Sequence, residues 1–184
     1  MCTANGFIAF EDTTVVPSLV SATYGTVLEL GPGPGNQLHR YNMAAVDFIY
    51  GVEPSPQYAP NIAAKLQKLR LQDKYKLLTC GIEDSDVLRR EGIEEGSLDT
   101  VLSIQVLCAV RDVRMVMREV WKLLRPGGCF VFWEHERSRD SATRAVQGAY
   151  TSPYLLQVTA CDEEANVKQQ RAGTRLGARS WDVI

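Results

Sequence analysis

The sequence predicts a single α/β domain, a mostly parallel sheet with helices on both faces, and three observations carry that prediction. Short apolar runs suited to buried strands alternate with segments of helical periodicity. The first run, Val27 to Leu30, leads into glycines at alternate positions, Gly31, Gly33 and Gly35. A carboxylate, Glu53, closes the second run about twenty residues later, where a parallel sheet presents an acid to ribose hydroxyls. A length of 184 residues allows one such core and not two.

Taken in order, Met1 to Thr26 has no clear periodicity. Phe7 to Phe10 and Val15-Val16 suit a helix or a lid over a ligand, and Pro17 limits any helix through them. Gly25 introduces the first strand. Without Cβ atoms the glycine loop turns sharply and lets backbone approach a ligand, while Pro32 and Pro34 fix φ and stiffen it. From Asn36 the pattern reads helix, strand (Val46 to Glu53) and helix (about Pro60 to Leu71), the last with Ile62, Leu66 and Leu69 on one face. A strand at Tyr75 to Cys80, a short polar helix near Asp84 to Arg90 and a turn at Glu94 to Ser97 precede a buried strand at Leu98 to Ile104. A helix over Asp112 to Leu124 ends at Arg125-Pro-Gly-Gly128, and Cys129 to Trp133 is a fifth strand. Beyond Glu134 the pattern weakens: Arg137 to Arg144 is charged, Tyr150 to Thr159 has strand-like content, and Asp162 to Arg179 suits a polar helix or a loose tail. The expected organisation is an N-terminal segment or lid (1–24), a ligand-binding core (25–136) and an atypical C-terminal segment (137–184).

Composition narrows the partners. A net charge of -2 gives no electrostatic case for nucleic acid or an acidic membrane. The five cysteines lack metal-ligand or CxxC spacing, and Cys80, Cys108 and Cys129 fall in or beside apolar runs, as reduced core cysteines do. With neither a leader pattern nor a long apolar span, a soluble cytoplasmic protein is expected.

In an open parallel sheet, ligands bind beyond the carboxyl ends of the strands. The first strand end supplies the loop Gly31-Pro32-Gly33-Pro34-Gly35, spaced G-x-G-x-G and preceded by Glu29. A carboxylate there repels a pyrophosphate and suits an ammonium or sulfonium group, which disfavours a nicotinamide dinucleotide. S-adenosyl-L-methionine carries both cations and no phosphate. The second strand end supplies Glu53, Pro54 and Ser55; the third offers Ile82 and Glu83 to an adenine, although Glu83 and Asp84 suit helix N-capping nearly as well. The fourth, with Ile104 and Gln105, lines the methyl-donor end, and Gln105 fits a plain strand-end polar role equally well. At the fifth, His135 is the candidate general base, against a histidine that only locks the loop. His39 falls in the predicted first helix, facing away, and Cys108 suits core packing better than nucleophilic attack.

Four strings in order, Leu28-Glu-Leu-Gly-Pro-Gly-Pro-Gly35, Val52-Glu-Pro-Ser-Pro56, Gly96-Ser-Leu-Asp-Thr-Val101 and Leu124-Arg-Pro-Gly-Gly128, resemble class I S-adenosylmethionine-dependent methyltransferases. Val106-Leu-Cys-Ala-Val110 and Phe132-Trp-Glu-His135 are similar to the methyltransferase-like branch that includes alkyl thiol methyltransferases. The resemblance implies a Rossmann-like, seven-stranded sheet with the cofactor across its carboxyl edge. It assigns Glu29 and the glycine loop to the methionyl end, Glu53 to the ribose, Ile82 and Glu83 to the adenine, and Ile104 and Gln105 to the strand-four wall. The apolar N-terminal anchor of that branch's membrane-attached members has no counterpart here, and only the segment after Arg137 is available for the closing strand pair, so an incomplete pair is expected. The implied activity is methylation of a small molecule at sulfur or oxygen. A truncated, non-catalytic binder of the same fold is the alternative.

Overall fold

The computed structural model describes residues 4–134 and, for its backbone, 156–161. Five strands run parallel: β1 (Gly25–Leu30), β2 (Val46–Val52), β3 (Tyr75–Leu78), β4 (Leu98–Ile104) and β5 (Leu124–Glu134). A sixth, β6 (Leu156–Cys161), is antiparallel to β5, with Leu156 opposite Glu134. The order is β3-β2-β1-β4-β5-β6, so the direction of winding reverses between β1 and β4. That reversal opens a crevice at their carboxyl ends, where the glycine loop begins. The described residues thus give six of the seven implied strands, and the strand content foreseen at Tyr150 to Thr159 is realised from Leu156 on.

Helices α1 (Ala4–Glu11), α2 (Val16–Ser21), α3 (Ala59–Leu69), α4 (Ser85–Arg90) and α5 (Val113–Leu123) complete the described elements. Pro17 does not block α2, because it sits in the first turn, where its missing N–H has no partner to lose. Asp112 caps α5 by accepting from Met115 N at 3.1 Å. None of these helices is long and apolar enough to cross a membrane.

Three expectations are corrected. No helix follows the glycine loop: residues 36–45 form turns. β1 is about 20 Å long, and the ten or so residues left after the glycines would cover only about 15 Å as a helix, so the return to β2 requires a more open path. Leu69 is 36% exposed rather than on the buried face of α3, because Arg70 turns left-handed (φ 58°) and Leu71 takes the buried place, its N–H donating to Leu66 O. β5 starts at Leu124, opposite Leu98, and bulges through Arg125-Pro-Gly-Gly128 before Cys129 pairs with Thr100.

Two cores flank the sheet. Leu28, Leu30, Val101, Phe130 and Phe132 pack under α4 and α5, the two phenylalanine rings stacked at 4.8 Å. Val27, Ile49, Leu102 and Val131 pack under α2 and α3. The expectation of reduced core cysteines holds for Cys80, a buried free thiol. Cys108 is free but exposed in the turn after β4, and Cys129, set opposite Cys161 by the β5–β6 register, is disulfide-bonded.

Candidate functional site

The glycine loop leaves β1 with Gly31 N donating to Val52 O and closes a turn as Gly35 N donates to Pro32 O, both at 2.9 Å. Gly31 and Gly33 have φ of 52° and 53°, values that L side chains rarely adopt. A Cβ on Gly31 would lie 2.9 Å from a Val106 methyl, whereas one on Gly33 would meet no protein atom within 4 Å. Gly33 therefore faces open space in which a ligand can lie against the backbone. From behind, Lys65 on α3 donates to Gly35 O and Asn36 Oδ1, and burial lowers its pKa.

Two carboxylates reach this loop by different means. Glu53, at the end of β2, is buried, and accepts from Gly33 N at 3.1 Å and Ser55 N at 2.9 Å. Each oxygen holds one backbone N–H, which leaves each with a lone pair for a diol. Pro54 beside it is exposed. Glu29, on β1, is 2% exposed, and Tyr75 on β3 donates to it at 3.1 Å. The tyrosine crosses the intervening strand at Gly51, the register partner of Glu29, where a Cβ would lie 2.0 Å from the hydroxyl. Burial pushes the Glu29 carboxyl up to about 7, against the lowering influence of the Tyr41 and Tyr75 hydroxyls. Burial and the Glu29 charge in turn push both tyrosines well above their ordinary range.

A cavity of about 190 Å³ joins Glu29 and the loop to Ile104 and Gln105 of the strand-four end. Gln105 is left-handed (φ 58°) and donates its N–H to Trp133 O at 2.8 Å. A non-glycine residue held there is strain of the kind that gathers at ligand sites. The same wall is fixed by Glu134, a residue the sequence reading did not select. It is buried, and its Oε1 accepts from Ser103 Oγ at 2.7 Å and Val106 N at 2.9 Å, while Oε2 has no hydrogen-bond partner among the described residues. Burial, then the Glu134 charge, pushes up the thiol of Cys108, opposite to what a nucleophile needs.

Ile82 and Glu83 do not line this cavity. Ile82 is buried in the core under α4 and α5, and with the exposed Glu83 it borders a separate cavity of about 530 Å³ between those helices. Asp84 holds the turn by accepting from Gly81 N at 2.8 Å and makes no side-chain cap bond to α4. His135 lies outside the described residues, and His39 is exposed in the turns after the glycine loop.

A helix or lid was expected around Phe7 to Phe10, where α1 lies; the way it is fastened was not foreseen. Phe7 and Glu11 of α1 line the cavity, and α1 is fastened by Arg40, a buried arginine in the segment expected to be helical. Arg40 donates to Glu11 Oε2 at 3.0 Å, Gln37 Oε1 at 2.5 Å, Asp12 Oδ1 at 2.6 and 3.2 Å, and Ile8 O at 3.3 Å. All five guanidinium N–H groups are thereby satisfied. Nothing in the spacing of Glu11, Gln37 and Arg40 marks them, because the pairing exists only once α1 lies across the loop.

The residues present fit S-adenosylmethionine at its methionyl and ribose ends: a loop open to backbone contact, carboxylates for cations and hydroxyls, and, among the described residues, no phosphate-binding lysine or arginine on the cavity wall. Comparison with known proteins agrees. A methyltransferase domain model matches residues 28–132. Human thiol S-methyltransferase TMT1B is 31% identical over 109 residues, which are 59% of this chain and 42% of that protein. The chain thus spans less than half the length of the curated relatives it matches first. Among solved structures, geranyl diphosphate methyltransferase in complex with SAM superposes with a TM-score of 0.62 at 14% identity, over 90% of this chain and 63% of that one. The [4+2]-cyclase SpnF gives 0.61 at 18% identity, over 91% and 56%. At such identities the structures establish the fold, and the matched domain establishes the rest: the chain belongs to the class I S-adenosylmethionine-dependent methyltransferase family.

Proposed function

We propose that this protein transfers the methyl group of S-adenosylmethionine to the sulfur or oxygen of a small molecule. The observation that carries the reading is the single cavity shared by the glycine loop, Glu29, Ile104 and Gln105. Glu29 and Gly31 to Gly35 hold the methionyl end, and Glu53 with Ser55 the ribose. In the proposed division, residues 1–24 close over the cofactor, 25–136 bind it and 137–184 shape the acceptor side. When bound, the cofactor supplies an electrophilic methyl on a good leaving group. The chain's task is alignment and exclusion of water, for which well-oriented reactions gain effective molarities of about 10⁵ to 10⁸ M.

Relatives named thiol S-methyltransferases favour a thiol acceptor. A thiol with an ordinary pKa near 8.5 needs little help from a base, whereas a hydroxyl needs one, and His135 is the residue proposed for it. Thermal unfolding with S-adenosylmethionine, its demethylated product and NADH tests the cofactor. A ligand at a hundredfold excess over its dissociation constant stabilises by about 2.7 kcal/mol, so both sulfur ligands should raise Tm and NADH should not. No shift with either sulfur ligand would sink the reading. Once binding is seen, His135→Ala should abolish methylation of a phenol while only denting that of an alkyl thiol; equal retention of both removes His135 from the mechanism.

A further inference from the structure

We propose that Glu134 is a positioning residue for the cofactor: one of its oxygens holds the turn after β4 in the shape that the strand-four wall of the cavity needs. The inference rests on the reading of that cavity as the cofactor site.

The β4–β5 ladder ends where Ile104 lies opposite Trp133. Beyond that pair the chain turns, with Gln105 left-handed (φ 58°) and its N–H donating to Trp133 O at 2.8 Å. The next N–H, that of Val106, has passed the end of the backbone ladder, and the Glu134 side chain takes it instead. Oε1 accepts from Val106 N at 2.9 Å and from the hydroxyl of the buried Ser103 at 2.7 Å. A single oxygen thus grips the chain on both sides of Gln105. Each hold bears on the ligand space. Gln105 lines the cavity beside Ile104. Val106 is set against Gly31, the first glycine of the loop, where a Cβ would lie 2.9 Å from its methyl. The turn therefore fixes the wall and the glycine loop relative to each other.

Seating β5 does not account for this carboxylate. Phe130, Phe132 and Trp133 already bury the strand, and Glu134 is buried with them. Taking a carboxylate out of water costs more than placing an apolar side chain of similar size there. What the apolar residue cannot do is accept from Val106 N. A left-handed non-glycine residue is strained, by an amount worth about 5- to 100-fold in a conformational equilibrium. Without the Oε1 bonds the turn relaxes, and a ligand must restore the wall as it binds. Its apparent affinity then falls with the fraction of molecules already in the binding shape.

Two substitutions separate shape from charge. Glu134→Gln keeps an acceptor oxygen at the same reach and loses the charge. Glu134→Asp keeps the charge and draws it back by one methylene, away from Val106 N. In the full chain, hydrogen exchange reads the Val106 amide, and calorimetric titration reads affinity for S-adenosylmethionine and for its demethylated product. Both are measured below each variant's unfolding temperature, so a general loss of stability does not enter. Glu134→Asp should speed Val106 exchange at least about tenfold and weaken both ligands about tenfold. Glu134→Gln should stay within about threefold of the wild type in both readouts. Wild-type affinity or wild-type Val106 exchange in Glu134→Asp overturns the proposal. So does equal weakening by Glu134→Gln, which would assign the effect to charge. If the wild type binds neither ligand, the cofactor reading of the cavity has itself failed, and this inference falls with it.

Discussion

The two faces of the sheet are built on different physics. Under α4 and α5 the sheet presents Leu28, Leu30, Val101, Phe130 and Phe132, an apolar layer that gives way to a buried polar pair, Ser103 and Glu134, at the carboxyl edge of the strands. On the face that carries α2 and α3 the sheet also buries Glu29 against Tyr75, and the Glu11–Arg40–Gln37 cluster is buried beside the glycine loop. Apolar packing is non-directional and tolerates any residue of suitable size. A buried polar cluster stabilises only when every partner is present, so it specifies position more than it adds stability. The difference separates what keeps the protein folded from what shapes its cavity.

The largest break in that comparison is on the apolar face. Phe130→Ala removes a ring that is 1% exposed and stacked on Phe132, and should cost about 3–5 kcal/mol in urea denaturation. The ratio of cofactor to product affinity should stay as in the wild type at a temperature where the variant is folded. A changed ratio would mean that the two faces are coupled.

On the polar face, Arg40→Ala leaves Glu11 buried with only Gln37 as partner, and should cost about 3 kcal/mol. The double variant Arg40→Met with Glu11→Leu should recover most of that loss in the same denaturation assay, because it removes both charges together. If the double variant is as unstable as the single, shape rather than charge holds α1 to the loop.

These contrasts also explain how far the sequence could be read. Strands β1, β2 and β4 and helix α5 announce themselves by apolar runs and helical spacing, since burial imposes those periods on the chain. Gly31, Gly33, Glu29 and Glu53 were equally legible, because the backbone turn and the strand ends fix where they must fall. Arg40 was not: a lone arginine in a polar stretch looks like any solvated side chain until α1 folds over it. The missing helix after Gly35 is a matter of length rather than pattern, and Glu134 became visible only when Ser103 and Val106 closed around one of its oxygens. Ile82, placed by sequence beside an adenine, instead completes the apolar face. Apolar periodicity does not say which of two cavities a residue will border.

Glu29 offers the finest test, since its cost depends on pH. The folded-state pKa is raised from 4.5 to about 7, chiefly by burial. The unfolded chain gives up this proton first, so stability from the protonated, Tyr75-bonded carboxyl is full below about pH 4.5 and is lost as pH rises toward 7. Above that, the folded protein carries an ionised carboxylate at a cost of about 2–3 kcal/mol. Glu29→Gln should therefore match the wild type near pH 4 and exceed its stability by up to about 2–3 kcal/mol at pH 8, as read from denaturation curves across that range. The sign reverses for a cationic ligand, which binds the ionised form better: wild-type affinity for S-adenosylmethionine should rise between pH 6 and 8, and the Glu29→Gln variant should lose that rise. Tyr41, Tyr75 and Glu53 lie near enough to shape the titration, but both tyrosines are pushed above this range, so a rise centred near 7 that disappears in the variant identifies Glu29. An unchanged slope in the variant would assign the titration elsewhere and leave the buried carboxylate a structural partner of Tyr75 alone.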